Sequence, residues 1–250
     1  MRVLGVIPAR LGSTRLPNKP LQPLAGEPLI TRVIQRVLDH SLTDELVVAT
    51  DSSRVVQVAQ LAGVRAVLTD GAHQTGTDRV AEVAGRPEFL GFDAIVNIQG
   101  DEPFISREAV SGALARLDAG DDVGTAAAPL EAALAADPGR VKVVVDAGGR
   151  ALYFSRSVIP HRRDAGDPSE GLYWQHLGLY AFTPAALARW VTLPSTPAEQ
   201  AERLEQLRAL HHGMTIGVAL LEQPALPGID TQDDLRRAEA HWHTFQGQVS

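Results

Sequence analysis

Short apolar runs and amphipathic stretches alternate through the first half of the chain. The run at residues 3–8 (VLGVIP) has the continuous hydrophobicity of a buried parallel strand. Residues 28–38 (PLITRVIQRVL) instead place apolar side chains at helical spacing, with a proline suited to a first helical turn. The same reasoning predicts further strands at 46–50, 66–69 and 93–99, and further helices that end at residue 61 or span 77–84 and 106–117.

This alternation predicts where a ligand would bind. Strands that alternate with helices form right-handed crossovers and a parallel sheet. Ligands of such sheets lie beyond the carboxyl ends of the strands. The loop at residues 9–19, Asp51 and the segment at 100–102 each follow a strand, so we expect them to converge on one rim.

The second half of the chain has a different pattern. Two strands are predicted around the Ala147-Gly148-Gly149 turn, and residues 161–173 are polar and rich in Gly and Pro, as in a mobile loop. The strands expected here are 141–146, 151–154, 175–182 and 215–221, and the helices are 184–190, 197–211 and 231–243. We therefore predict one α/β domain over residues 1–250. It is a Rossmann-like, mostly parallel sheet with helices on both faces, plus a small β-rich portion after about residue 140.

Composition narrows the class of protein. The net charge of -7 argues against a nucleic-acid partner, and the absence of cysteine excludes disulfides and thiolate sites. No apolar stretch approaches the roughly 18 residues of a membrane span, and the N-terminus does not resemble a signal peptide. We expect a soluble, cytoplasmic protein without a membrane partner. Of 23 basic residues only Lys19 and Lys142 are lysines, and for each of them the two interpretations are a need for a compact charge and chance.

The loop after the first strand is cationic. Residues 1–26 contain four basic residues and no acid, although the whole chain is acidic. Gly12 and Ser13 allow backbone N–H groups to face a phosphate chain that Arg10, Arg15 and Lys19 would neutralise. The alternative is a solvated basic loop. The segment lacks the GxxxxGK[ST] and GxGxxG patterns, so P-loop and dinucleotide-binding proteins are disfavoured.

Two carboxylates indicate a magnesium site. Asp101 follows the predicted strand 93–99, and Asp230 follows an apolar residue and a turn. Rigidly held carboxylates are ligands that Mg²⁺ prefers, and bound phosphates would complete its shell. The alternative reading of each acid is a helix cap, and for Asp230 alone that reading is the stronger one.

Several motifs together resemble the 3-deoxy-manno-octulosonate (Kdo) cytidylyltransferases. They are IPARLGSTRLPNKPL, HQTGTDR, VNIQGDEP, ALYFSR, HLGLY, LEQLR and PGIDT, in that order and spacing. Asn18 departs from the glycine common in the family. The resemblance implies the nucleotide-diphospho-sugar transferase fold. It also implies a nucleotide-binding part at about 1–140, a sugar-binding and dimerisation part at about 141–225, and a metal-ligand loop with a closing helix at 226–250.

The resemblance also implies roles for individual residues. The nucleotide-binding residues are Ala9, Arg10, Arg15, Lys19, Gln74, Thr75, Gly76, Arg79 and Gln99. The sugar-binding residues are Gln99, Arg156, His176, Tyr180, Glu205 and Gln206. Asp101 and Asp230 would hold Mg²⁺, and Arg10, Lys19 and Asp101 would be catalytic. Core packing is the alternative for Tyr180, and a solvated helix face for Glu205.

The implied reaction activates Kdo with CTP for lipopolysaccharide precursor synthesis. The anomeric hydroxyl would attack the α-phosphorus in line and release pyrophosphate, without a covalent enzyme intermediate. A homodimer is implied as well. Three alternatives stay open at this point: an activator of sialic acid or 8-amino-Kdo, a sugar-1-phosphate nucleotidyltransferase, and a catalytically silent nucleotide-binding relative.

Overall fold

The computed structural model describes residues 1–13, 15–164, 166, 171–240, 242 and 244. Part of the predicted mobile loop (165 and 167–170) and two positions of the predicted last helix (241 and 243) therefore lie outside the described residues. Among the helices that are described, none has the length and apolar character needed to cross a membrane.

The described residues form a mixed set of strands and helices. The strands are β1 (Val3–Ala9), β2 (Pro23–Leu24), β3 (Glu27–Pro28), β4 (Glu45–Thr50), β5 (Arg65–Leu68), β6 (Ala94–Ile98), β7 (Val123–Leu130), β8 (Lys142–Val145), β9 (Ala151–Ser155), β10 (Tyr173–His176), β11 (Leu179–Phe182) and β12 (Ile216–Leu220). The α-helices are α1 (Leu29–His40), α2 (Ser53–Leu61), α3 (Gly76–Ala84), α4 (Arg107–Asp118), α5 (Pro184–Thr192), α6 (Pro197–Glu202), α7 (Gln206–His211) and α8 (Gln232–Ala240). Short 3-10 helices occur at Lys19–Leu21, Pro87–Phe89 and Ala132–Leu134.

The chain divides into two compact units. The first unit comprises residues 1–107 and 226–250, and the second comprises residues 108–225. In the first unit the strands lie in the order β5-β4-β1-β6, and each neighbouring pair is parallel. Strand β1 is buried along its whole length, as expected for a strand inside a parallel sheet.

A hydrophobic cluster in the first unit holds the loop after β1 near the C-terminal segment. Leu16 of that loop is almost fully buried and belongs to one cluster with Ile229 and Leu235. Leu24, Leu29, Phe104, Ala238 and Trp242 complete the cluster. Burial of apolar surface contributes about 25 cal/mol per Å² to the free energy of folding. The burial of these side chains therefore holds the loop after β1 and the segment before α8 in fixed positions.

In the second unit, strand β7 pairs with more than one neighbour. It pairs with β12 in parallel, and with β10 and β11 in antiparallel fashion. Strands β8 and β9 form an antiparallel hairpin that joins the sheet through a pairing of β8 with β10. The predicted α/β class is therefore confirmed, with the antiparallel pairs concentrated in this unit.

Three features of the second unit differ from the sequence prediction. Strand β7 was not predicted, because three alanines, a glycine and a proline in VGTAAAPL dilute the strand signal of its two β-branched residues, Val123 and Thr125. The single strand predicted at 175–182 is wrong: it is interrupted after His176, and the N–H of Leu179 bonds to the carbonyl of Leu177. The single helix predicted at 197–211 is also wrong, because Arg203 has a left-handed φ of 53° that ends α6.

Candidate functional site

The cationic loop leaves β1 at the carboxyl edge of the first unit's sheet. Asn18 has a left-handed backbone (φ 52°) immediately before the short helix Lys19–Leu21. Asparagine tolerates this conformation better than most residues other than glycine, so Asn18 can form this turn. With Leu16 anchored in the core, this turn fixes the direction of the Lys19 side chain.

A pocket of about 420 Å³ lies at this edge. Its lining contains every residue predicted for the nucleotide, for catalysis and for the metal. The lining is Pro8, Ala9, Arg10, Ser13, Arg15, Lys19, Pro20, Gln74, Thr75, Gly76, Arg79, Gln99, Gly100, Asp101 and Asp230. The predicted convergence of strand-end loops on one rim is therefore observed. The position of these residues does not by itself show what each of them binds.

The two predicted metal ligands converge on one ammonium group. Lys19 Nζ donates to Asp230 Oδ1 at 2.8 Å and also to Asp101 Oδ2. Arg15 forms a further ion pair with Asp230 at 3.0 Å. Burial by itself lowers the pKa of Lys19, but the charges and hydrogen bonds of the two carboxylates outweigh it and raise the pKa. The ammonium therefore stays charged.

Asp230 does not cap the helix that follows it. The next residue, Thr231, caps α8 instead. Its Oγ1 accepts from Asp234 N, and its backbone N–H donates to Asp234 Oδ2. The Asp230 carboxylate is thus available to Lys19 and Arg15. This arrangement removes the helix-cap alternative that the sequence favoured for Asp230 alone.

A third carboxyl group, which the sequence analysis did not select, lies beside this pair. Desolvation, and next the charges of Asp101 and Asp230, raise the pKa of Glu102 to about 8. Its Oε1 is 2.9 Å from the position that a Cβ on Gly228 would occupy, so a larger residue at 228 would displace the Glu102 carboxyl. The sole sequence signal was its place directly after Asp101.

The carboxylate pair fits a hard divalent cation. Asp101 and Asp230 come from distant parts of the sequence, yet both reach the same ammonium, which shows that they can address one positive charge. Within the described residues no group of three or more His, Asp or Glu side chains is arranged to hold a metal. Magnesium commonly uses one or two carboxylates together with phosphate and water oxygens, which matches this donor set.

The other side of the pocket is formed by the start of α3. Thr75 caps this helix, and its side chain and that of Asp78 form a reciprocal capping box. A Cβ on Gly76 would lie 3.2 Å from Pro8 Cγ and 3.3 Å from Gln99 Oε1, so the absence of a side chain lets Gln99 approach the helix. Gln99 Nε2 in turn donates to the buried Asn97 at 3.2 Å.

Arg79 is almost fully buried and is held by the protein itself. Its NH2 group lies 3.3 Å from Asp51 Oδ2, and its NH1 group donates to Thr69 Oγ1 and to the carbonyl of Asp70. These contacts join the ends of β4 and β5 to α3. Asp51 therefore lies on the predicted rim, where it fixes Arg79.

Glu82, which the sequence analysis did not select, clamps the segment that leads to Gln74 and Thr75. Its carboxylate accepts from Asp70 N at 2.8 Å, from His73 Nε2 at 2.7 Å and from Arg86 NH2 at 2.6 Å. Desolvation raises its pKa, but the bonds from Arg86, Asp70 and His73 together lower it to about 2. The carboxylate is thus ionised at neutral pH.

The predicted sugar-binding residues other than Gln99 lie in the second unit, and His176 is buried there as a neutral imidazole. Its Nε2 is 3.0 Å from Thr125 Oγ1, whose own hydroxyl donates to the carbonyl of Leu179 at 2.7 Å. The hydroxyl proton is thereby used, so His176 Nε2 carries the proton of the bond to Thr125. Burial lowers the pKa of His176 to about 3.

Aromatic contacts link His176 to Glu205. The ring of Tyr180 lies 5.4 Å from that of His176 and 5.7 Å from that of Trp190. Trp190 Nε1 donates to Glu205 Oε1 at 2.9 Å. Burial, and then the charge of Glu205, raise the pKa of Tyr180 well above its usual value. Tyr180 thus packs in the core and also lies near a carboxylate.

Gln206 and Arg156 have different surroundings. Gln206 is buried at the start of α7, directly after Glu205. The guanidinium of Arg156 donates to the carbonyls of Glu202 at 2.8 Å and Pro138 at 2.9 Å, and more weakly to that of Arg203. An arginine has five N–H donors, so Arg156 keeps donors for a ligand carboxylate beyond these contacts.

A cationic loop and carboxylates at the carboxyl edge of a parallel sheet are the arrangement of α/β proteins that bind nucleotides. Comparison with known proteins defines the class further. The family model described as cytidylyltransferase matches residues 4–216. The 3-deoxy-manno-octulosonate cytidylyltransferase of Gemmatimonas aurantiaca is 51% identical, covering 100% of this chain and 98% of the relative. That of Methylococcus capsulatus is 45% identical over 94% of this chain and 95% of the relative.

A solved structure agrees with these relatives. A CMP:2-keto-3-deoxy-manno-octonic acid synthetase complexed with CTP superposes with a TM-score of 0.89 at 40% identity, covering 98% of this chain and 99% of that one. The chain is therefore a nucleotidyltransferase of the cytidylyltransferase family. Within that family it belongs to the 3-deoxy-manno-octulosonate cytidylyltransferases.

Proposed function

We propose that this protein transfers the cytidylyl group of CTP to Kdo, giving CMP-Kdo and pyrophosphate for lipopolysaccharide precursor synthesis. The observation that carries the proposal is the pocket in which Lys19 lies against Asp101 and Asp230. A cation beside two carboxylates suits a substrate that brings both phosphate charge and a metal. The similarity to the CTP-complexed structure supports CTP as that substrate.

In this proposal the nucleotide lies in the pocket of the first unit. Arg10, Arg15 and Lys19 bind the triphosphate, while Ala9, Gln74, Thr75, Gly76, Arg79 and Gln99 form the surrounding cytidine site. An ammonium has three N–H donors, and Lys19 uses two of them for carboxylates. The third donor is available for a phosphate oxygen. Phosphate binding and carboxylate binding are therefore compatible for this side chain.

The reaction is a single in-line displacement. The anomeric oxygen of Kdo forms a bond to the α-phosphorus, the bond from that phosphorus to the bridging oxygen breaks, and the hydroxyl proton is released to solvent. Arg10 and Lys19 stabilise the charge on the phosphoryl oxygens, because positioning and electrostatics dominate phosphoryl chemistry. Mg²⁺, held by Asp101 and Asp230, would neutralise phosphate charge and help to orient the reacting groups.

The residues proposed for the sugar offer complementary polar groups. Arg156 suits the sugar carboxylate, and His176, Tyr180, Glu205, Gln206 and Gln99 can address its hydroxyls. His176 stays neutral at physiological pH because its pKa is about 3. A neutral imidazole that donates from Nε2 keeps Nδ1 as an acceptor for a hydroxyl group.

A substrate panel tests the proposal. Pyrophosphate release is followed with CTP, UTP and GTP against Kdo, 8-amino-Kdo, sialic acid and hexose phosphates, each with and without Mg²⁺. We expect release with CTP and Kdo that depends on Mg²⁺. Faster release with 8-amino-Kdo or sialic acid would assign another acidic sugar, and binding of CTP without release would indicate a silent relative.

We also propose that the protein is a cytoplasmic homodimer. The second unit would form the dimer interface. Strand β9 ends the strand path of its sheet and exposes Leu152 (61% exposed) and Tyr153 (40%). An edge strand with apolar side chains is a surface that a second copy can cover. Light scattering should give twice the mass of the chain, and Leu152→Glu should give the monomer.

A further inference from the structure

One of the two lysines of the chain is completely buried in the second unit. Lys142 is 0% exposed, and its Nζ donates to the carbonyls of Asp137 (3.0 Å), Arg140 (2.6 Å) and Arg156 (2.6 Å). These bonds use all three N–H donors of an ammonium. Desolvation by burial lowers the pKa of Lys142, whereas the bonds to carbonyl oxygens favour its charged form.

The compact shape of the group matters in this chain. Apart from the two lysines, the 23 basic residues are all arginines. A guanidinium spreads its N–H donors over a planar fork, so it cannot replace an ammonium whose single nitrogen donates to three carbonyl groups. Removing the ammonium would leave three carbonyl groups without this donor in a buried place. Such a loss disfavours the present positions of these carbonyl groups.

Arg156 carries the effect of Lys142 to the end of α6. Its backbone N–H donates to the Glu202 carboxylate at 2.9 Å, and its guanidinium Nε donates to the Glu202 carbonyl at 2.8 Å. The same carboxylate accepts from Ser155 Oγ at 2.6 Å. The end of β9 is thus bonded to the last residue of α6 through both its backbone and its side chains.

The segment that this network holds is the turn between α6 and α7. Arg203, in the left-handed conformation, ends α6, and Glu205 and Gln206 begin α7. Glu205 and Gln206 are among the residues proposed to bind the sugar, as is Arg156. Two main-chain carbonyls of this turn, those of Glu202 and Arg203, accept from the Arg156 guanidinium.

We propose that Lys142 is a positioning residue for the sugar-binding half of the enzyme. Its ammonium fixes Arg156, and through Glu202 it fixes the turn that presents Glu205 and Gln206. The inference rests on the proposed function for the identity of the ligand. It goes beyond that function because Lys142 itself contacts only backbone carbonyls and need not touch substrate.

Steady-state kinetics with each substrate varied in turn test the proposal. We expect Lys142→Met to raise the KM for Kdo about tenfold or more, while the KM for CTP changes less than about twofold. The matched control is Val143→Ala, which removes buried volume from the next residue of β8 without touching the network. This variant should lower the Tm but leave the ratio of the two KM values unchanged. An equal rise of both KM values in Lys142→Met would overturn the proposal.

A second variant covers the case in which Lys142→Met does not fold. Because the chain has no cysteine, Lys142→Cys can be alkylated in denaturant with 2-bromoethylamine, which restores an ammonium at nearly the same length, and then refolded. Recovery of the wild-type KM for Kdo supports the assignment to the ammonium. A refolded, aminoethylated protein with a KM for Kdo that is still raised contradicts it.

Amide hydrogen exchange separates this inference from the proposed function. In Lys142→Met, exchange should accelerate at residues 203–208 and stay unchanged in β7. If the wild type releases no pyrophosphate from CTP and Kdo but exchange accelerates as expected, the proposed function fails and the positioning role stands. Unchanged exchange at 203–208 would overturn the positioning role whatever the activity.

Discussion

The ammonium of Lys19 lies 2.8 Å from the carboxylate of Asp230, although 211 residues separate the two along the chain. The same ammonium binds Asp101, so one cation joins two carboxylates that would otherwise repel each other. A metal bound by Asp101 and Asp230, as proposed, would therefore share both carboxylates with Lys19.

Removing the Lys19 ammonium should strengthen metal binding in the absence of nucleotide. In Lys19→Met the carboxylates of Asp101 and Asp230 lose their counter-ion, so we expect the affinity for Mn²⁺ to rise severalfold in a titration followed by electron paramagnetic resonance. Turnover should fall at least about a hundredfold, because the variant loses the positive charge that stabilises the phosphoryl oxygens. Lys19→Arg should also lose activity clearly. Weaker Mn²⁺ binding in Lys19→Met would contradict the shared-partner interpretation.

Neutralising Asp101 should abolish turnover without unfolding the protein. Asp101→Asn keeps the shape of the side chain but removes one of the two charges proposed to hold Mg²⁺. We expect kcat to fall about a hundredfold or more, with a Tm within a few degrees of the wild type. Pyrophosphate release and calorimetry measure the two effects. Near-normal turnover would show that Asp101 does not hold the metal.

Replacing Glu82 should weaken nucleotide binding selectively. Glu82→Gln keeps the size of the side chain but removes the charge that holds His73 and Arg86, so the segment before Gln74 should loosen. We expect the KM for CTP to rise about fivefold or more and the KM for Kdo to stay nearly constant. Glu88→Gln, on the Arg65 side of the same unit, is a suitable control because it changes another carboxylate that pairs with an arginine.

The same carboxylate predicts a dependence of stability on pH. The folded pKa of Glu82 is about 2 and lies below its ordinary value of 4.5. The unfolded chain therefore binds the proton more readily, and the stabilisation is present above pH 4.5 and is lost as the pH falls toward 2. Chemical denaturation of the wild type and Glu82→Gln between pH 2 and 5 should give curves that converge at the acid end.

His176 should make the protein less stable in mild acid. Its pKa falls from 6.5 to about 3 on folding because burial disfavours the charged imidazole. Below pH 6.5 the unfolded chain binds a proton that the folded chain does not, so stability should decrease as the pH falls from 6.5 toward 3. The slope from one such group is at most about 1.4 kcal/mol per pH unit.

A comparison with His176→Gln isolates this contribution. The variant should show a flatter decline between pH 4.5 and 6.5, a window that lies above the ordinary pKa of Glu82. His40, whose pKa burial also lowers, is present in both proteins and cancels in the difference. Parallel pH profiles for the two proteins would show that His176 is already protonated, or accessible, in the folded state.

Asp121 should be essential for the stability of the second unit. Its side chain is 0% exposed and pairs with Arg116 at 2.6 Å and with Arg150 at 2.6 Å. Breaking a buried ion pair from one side typically costs about 3–5 kcal/mol, so Asp121→Asn should lower the free energy of unfolding by several kcal/mol. Arg150→Met should have a much smaller effect, since that side chain is about half exposed. Equal effects in urea denaturation would contradict this account.

The sequence by itself determined the alternation of strands and helices in the first unit and the place of its ligand. Hydrophobic periodicity is a local property, and the end of a parallel strand is a fixed location, so Lys19 and Asp101 could be assigned to one rim from the sequence. Asp230 follows no predicted strand and was proposed only as a second carboxylate presented by a turn. The family motifs added the nucleotide and the sugar. The two lysines also stood out by composition alone, as compact charges in a chain that otherwise uses arginine.

Only the tertiary structure decided which groups these residues contact. Strand β7 has only a weak strand signal, because close neighbours require small residues there: a Cβ on Gly124 would overlap the carbonyl of Ala113. The left-handed Arg203, the desolvated Glu102 and the clamp at Glu82 were equally invisible, since burial and charge pairing depend on segments far apart in the sequence. The sequence places Lys142 in a strand, whereas its role depends on three carbonyl groups that folding brings together.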